Sequence, residues 1–88
     1  MNVKQRRTLT ALFAIPTRAK VRFVDIAALI VALGCEAREG AGSRVAFELK
    51  GKRVYLYRPH PGREAKRYQV EAVREFLRSL EIQPWRIR

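Results

Sequence analysis

Apolar residues recur with helical spacing in three stretches of the chain, and between the second and third they alternate instead. Near the start, KQRRTLTALFAIP sets Leu9, Leu12 and Phe13 on one helical face, with Pro16 to end the helix. In DIAALIVALG, Ile26, Leu29, Ile30 and Leu33 fall at i, i+3, i+4 and i+7. Asp25 is placed to cap the free amides of that helix, and Gly34 supplies its C-terminal stop. The last helix is RYQVEAVREFLRSL, where Val70, Val73, Phe76, Leu77 and Leu80 form a broad stripe while Glu71, Arg74, Glu75 and Arg78 face solvent.

The alternating segment predicts strands. CEAREG sets Cys35 and Ala37 against Glu36 and Arg38; RVAFELK sets Val45, Phe47 and Leu49 against Arg44, Ala46 and Glu48; RVYLYR sets Val54 and Leu56 against Tyr55 and Tyr57. A two-residue loop at Gly51 and Lys52 pairs Leu49 with Val54 and Phe47 with Leu56, and brings Ser43 opposite His60. A three-residue loop would turn Val54 and Leu56 to the wrong face. The expected architecture is α+β in the order α-α-β-β-β-α, a three-stranded antiparallel sheet with helices on one face. Its other face, carrying Arg44, Glu48, Arg53, Tyr55 and Tyr57, is left open. Interleaved aromatic and basic residues on such a face can stack bases and hold phosphates; the tyrosines can equally shield the backbone and cross-strand neighbours. Trp85, in the tail EIQPWRIR, either packs back on the sheet or is offered to a partner.

Charge narrows the function. The 88 residues make one domain, and 48% hydrophobic content suffices for a core. With 19 Lys+Arg against 8 Asp+Glu the net charge is +11, and residues 1–24 hold six of those cations before the first acid, Asp25. Such a field attracts polyanions, nucleic acid foremost because counterion release drives phosphate binding, and an acidic protein would satisfy it too. The single cysteine, Cys35, excludes an intramolecular disulfide and reads as a packed small hydrophobe. One histidine and one cysteine supply no four-ligand zinc site, so no metal and no cofactor are expected. The run IAALIVALGC after a basic start imitates a lipoprotein signal, yet Asp25 abuts it and ten apolar residues fall far short of the roughly 20 that span a bilayer. No membrane association is expected, and the location is expected to be cytoplasmic.

Leu33-Gly34 at a helix end, Gly42-Ser43-Arg44 opening a strand, a basic hairpin, His60-Pro61-Gly62 and a final helix from about Lys66 to Leu80 together resemble the HicA family of toxins. The resemblance covers roughly residues 24–82, leaving a helical extension at about 1–20 outside it, as in a longer subgroup. It implies a fold similar to a double-stranded-RNA-binding domain, a ribonuclease activity that cuts mRNA to stop translation, and a HicB-type antitoxin partner. In that family the Gly-Ser pair is typically followed by a histidine regarded as catalytic, and Arg44 stands there instead.

Metal-free RNA cleavage needs a base for the 2′-hydroxyl, an acid for the leaving 5′-oxygen and positive charge at the phosphorus. Arg44 suits only the last role, because a guanidinium stays protonated. His60 is therefore a candidate for proton transfer, or alternatively a turn-forming or phosphate-contacting residue held between Pro59 and Pro61. Ser43, lacking a neighbouring base, is a poor nucleophile and a candidate hydrogen-bond donor. The expected RNA-binding residues are Lys50, Lys52, Arg53, Tyr55, Tyr57, Arg58, Arg63, Lys66 and Arg67. The N-terminal cations extend that patch or dock an acidic antitoxin surface.

Overall fold

One buried cluster gathers the apolar stripe of each helix and a single face of the sheet. The computed structural model describes residues 1–86. They run as α1 (Val3–Leu12), α2 (Phe23–Ala32), β1 (Glu36–Glu39), β2 (Arg44–Leu49), β3 (Lys52–Tyr57) and α3 (Arg67–Ser79), with a 3-10 turn at Pro84–Arg86. The strands form an antiparallel sheet in the order β1-β2-β3. Val45, Phe47, Val54 and Leu56 join Leu9 and Leu12 of α1, Ile26, Leu29 and Ile30 of α2, and Val70, Val73 and Leu77 of α3. This is the expected α-α-β-β-β-α order. Among the described residues no helix is long and apolar enough to cross a membrane.

Helix ends follow local chemistry except where packing overrides it. Asn2 caps α1, its side chain accepting from the Gln5 amide at 2.8 Å while Gln5 Oε1 accepts from the Asn2 amide at 3.1 Å. α2 does not start from an Asp25 cap. Arg22 is the N-cap residue, without a side-chain cap bond, and Asp25 lies in the first turn, 3.3 Å from Lys4 Nζ. The start is set by Phe23, which is buried and donates its amide to the Arg63 carbonyl at 2.9 Å. Asp25 still faces the positive end of the helix dipole, where a carboxylate is favoured. At the other end Gly34 takes φ +104°, and the amides of Gly34 and Cys35 reach back to the Val31 and Ile30 carbonyls.

The β2–β3 hairpin turns one residue earlier than expected. Leu49 pairs with Lys52, Phe47 with Val54 and Val45 with Leu56. Lys50 and Gly51 are the two loop residues, both at positive φ (53° and 79°), as a type I′ turn requires. Glycine therefore takes the second loop position and Lys50 accepts the left-handed conformation at the first. The pairing differs from expectation by two residues, so every apolar side chain keeps its face. Ser43 now meets Arg58, whose amide donates to the Ser43 carbonyl at 2.9 Å. The expected Ser43–His60 opposition is not formed.

Arg74 does not face solvent. It is 8% exposed, and its guanidinium donates through Nε to the Leu12 carbonyl and through Nη2 to Thr17 Oγ1, both at 2.8 Å. Thr17 passes the chain on to Glu71 Oε2 at 2.9 Å. Leu12 ends α1, so the cation sits where the helix dipole is negative. Trp85 packs against Phe13, just past α1, with ring centroids 5.8 Å apart and nearly perpendicular, and stays 69% exposed.

Two stability changes are expected. Arg74→Met leaves the Leu12 carbonyl without its charged donor and should lower the unfolding free energy by about 3 kcal/mol, read from urea denaturation. Glu81 holds φ 59° just beyond α3; Glu81→Gly relieves that left-handed strain and should raise stability by roughly 1 kcal/mol in the same assay.

Candidate nucleic-acid interface

The sheet face turned away from the helices is built from three cross-strand rows of β2 and β3. They are Glu48 with Arg53 at the hairpin end, Ala46 with Tyr55 in the middle, and Arg44 with Tyr57 at the far end. β1 adds Glu36 beside Glu48 and Arg38 beside Ala46. Ala46 is small, so Tyr55 is reached from both sides. The Arg44 guanidinium lies 4.9 Å from its ring centroid and that of Arg53 5.9 Å, within cation–π range. Gly40 permits the Arg44 pose, since a Cβ there would come within 3.2 Å of Arg44 Nε.

Arg53 ties this group together. Its Nη1 donates to the Tyr55 hydroxyl and its Nη2 to Glu48 Oε1, each at 3.1 Å. The hydrogen bond and positive charge of Arg53 hold the Tyr55 phenol below its ordinary pKa, with a smaller contribution from Arg44 and opposition from Glu48. Tyr55 and Tyr57 remain 46% and 47% exposed. A ligand therefore has access to both rings.

Arg58 has a different setting from the one its sequence suggests. Its Nη1 and Nη2 fork onto Glu39 Oε1 and Oε2 at 2.7 and 2.6 Å. That bidentate pair holds the Glu39 carboxyl below its usual pKa, chiefly by the hydrogen bond. A phosphate approaching Arg58 must compete with an acid already in place. Glu39 is the residue that sequence reasoning missed here, because β1 pairing alone brings it to that end of the sheet.

His60 occupies the exposed tip of the β3–α3 loop, and its side chain has no hydrogen-bond partner among the described residues. The loop itself is fastened on both sides. Phe23 donates to the Arg63 carbonyl, and Ala65 donates to the Val21 carbonyl at 2.7 Å. Gln69 Oε1 accepts from the Tyr57 amide at 2.6 Å, joining the start of α3 to the edge of β3. Beside the loop lies a cleft of about 450 Å³ lined by Arg22, Arg58 and Arg63 together with Phe23, Val24 and Pro59.

Of the expected site residues, Tyr55 stands in the middle of the sheet, and most of the others divide between its two ends. Lys50, Lys52 and Arg53 stand at the hairpin turn, whereas Ser43, Arg44, Tyr57, Arg58 and His60 stand at the opposite end, roughly 17 Å away at about 3.3 Å per strand residue. Arg63, Lys66 and Arg67 follow on the loop into α3. A second basic region, not among those residues, is a cleft of about 740 Å³ lined by Lys4, Arg7, Arg18, Lys20 and Arg22, with Asp25 its one acid. Among the described residues no cluster of three or more His, Cys, Asp or Glu side chains is placed to hold a metal ion.

A family model described as the HicA toxin of bacterial toxin-antitoxin matches residues 24–82, more than half of the chain. The chain belongs to the HicA toxin family. No curated protein and no solved structure matches it. As a HicA-family chain it is a toxin of a toxin–antitoxin system. The matched span runs from α2 through α3 and includes the whole sheet, while α1 lies ahead of it.

The electrostatics of the open face can be read by titration. Arg53→Gln should move the Tyr55 ionisation up towards the ordinary phenol value of 10.0, followed by phenolate absorbance in a Tyr57→Phe, Tyr68→Phe background. An unmoved titration would mean that Arg53 does not govern the phenol.

Proposed function

We propose that this toxin binds mRNA across its open sheet face, cuts it and so halts translation in the cytoplasm, and that a HicB-type antitoxin silences it. The observation that carries the reading is the Arg44–Tyr55–Arg53 group at the centre of an uncovered sheet. It offers a π-face for a base and fixed positive charge for a phosphate within one side chain's reach. The net charge of +11 supplies long-range attraction to the same ligand.

Within this reading Arg44 stabilises the phosphate charge, Tyr57 extends the stacking surface, and His60 contacts the RNA from the loop tip. Lys50 and Lys52 take the strand at the hairpin turn; Arg63, Lys66 and Arg67 take it beyond the other end. Ser43 is held by its backbone to Arg58 and is a hydrogen-bond donor to the ligand, not a nucleophile.

A second reading, RNA binding without cleavage, is favoured by two particulars. Arg44 stands where the family pattern has a histidine, and the register pairs Ser43 with Arg58 and not with His60.

Purified chain and end-labelled RNA separate the readings. The toxin reading expects fragments ending in 2′,3′-cyclic phosphate, and growth arrest on induced expression. Intact, retarded RNA would establish the second. In either, log affinity should fall linearly with log salt, by a slope of about −0.7 per single-strand phosphate contact; salt-independent binding, or none, would defeat both.

A further inference from the structure

The cluster at the centre of the open face contains one neutral side chain with a proton to give, the phenol of Tyr55. Arg44 and Arg53 are permanent cations. Tyr55 Oη accepts its hydrogen bond from Arg53 Nη1 at 3.1 Å. That bond occupies a lone pair and leaves the phenolic O–H to point elsewhere, with no acceptor among the described residues. The two guanidiniums beside the ring stabilise phenolate over phenol, so losing that proton is easier here than from an isolated tyrosine.

From this geometry we propose that the Tyr55 hydroxyl is the proton donor to the departing 5′-oxygen of the RNA, with Arg44 and Arg53 holding the phosphodiester. The inference rests on the reading of the chain as an RNA-cleaving toxin. In the step, the 2′-oxygen attacks phosphorus and the bond from phosphorus to the 5′-oxygen breaks. The 2′-hydroxyl proton passes to a water molecule, and the Tyr55 proton passes to the 5′-oxygen. The resulting phenolate, paired with Arg53, regains its proton from that hydronium. The products are a 2′,3′-cyclic phosphate and a 5′-hydroxyl, with no net change in the enzyme.

The groups facing Tyr55 fix the sign of the pH dependence. Arg44 and Glu48 face it from β2, Arg53 and Tyr57 flank it on β3, and Arg38 of β1 lies in its row beyond Ala46. The cations Arg38, Arg44 and Arg53 outnumber the carboxylates Glu48 and Glu36, the latter 3.5 Å from Arg38 and more distant from Tyr55. A proton donor works only while protonated, so cleavage should fall as pH rises through the Tyr55 ionisation.

The test is cleavage and affinity of one fluorescent RNA oligonucleotide with the wild-type chain, Tyr55→Phe and Tyr55→Ala, their thermal unfolding compared. Phenylalanine keeps the stacking ring and removes only the hydroxyl. The proposal expects Tyr55→Phe to bind within about twofold of wild type, to cleave at least about 100-fold more slowly at saturation, and to lose the alkaline limb of the pH profile. Tyr55→Ala should lose affinity as well. Wild-type cleavage matched by Tyr55→Phe would overturn the proposal while leaving the toxin reading intact. So would a Tyr55→Phe defect confined to affinity. RNA left intact by the wild type would overturn both.

Discussion

Arg74 holds the N-terminal third of this protein to the rest. A cation taken out of water requires partners, and here they are a carbonyl ending one helix and a hydroxyl in the following irregular segment. One side chain from α3 therefore fixes where α1 stops and how the chain continues from Thr17 towards α2. Leu9 and Leu12 can then fill the space beside α2 and α3. The basic segment between Pro16 and Arg22 is consequently presented from a fixed frame, although it has no regular structure of its own.

Charge is arranged differently on the two sides of the molecule. On the sheet, acids accompany several cations. Glu39 occupies Arg58 and Glu48 shares Arg53, so the local field is lower than a count of arginines suggests. These exposed pairs add little to stability; their effect is to orient guanidiniums. Arg44 lacks a carboxylate partner among the described residues and instead lies over an aromatic ring. Around α1 the cations outnumber the one acid of their cleft, which makes that side the less compensated one.

Periodicity revealed what depends on periodicity. The inward stripes of α2 and α3, the alternation of β2 and β3 and the openness of one sheet face all appear in the spacing of apolar residues. Arg74 was hidden by its charge, although it lies four residues after Val70 and three before Leu77, a position flanking the stripe. The start of α2 was misread because Asp25 looks like a cap, whereas a tertiary bond from Phe23 decides the boundary. The meeting of Glu39 with Arg58 joins residues 19 positions apart through strand pairing, and no local pattern announces it. Tyr55 was visible as an exposed aromatic, but the hydrogen bond that gives its hydroxyl a particular character depends on side-chain geometry alone.

The hairpin carries a further lesson about how such a surface is set out. Sliding β3 past β2 by two residues changes each cross-strand partner but keeps every side chain on its face, so the alternation of apolar residues does not distinguish the two alignments. What distinguishes them is the handedness of the backbone at Lys50 and Gly51. The turn acts as the zero mark of a ruler whose far end is read about 17 Å away. Moving that mark by a single position would exchange the residue facing Ser43 without altering any residue near it. In this fold the composition of one end of the sheet is decided at the other.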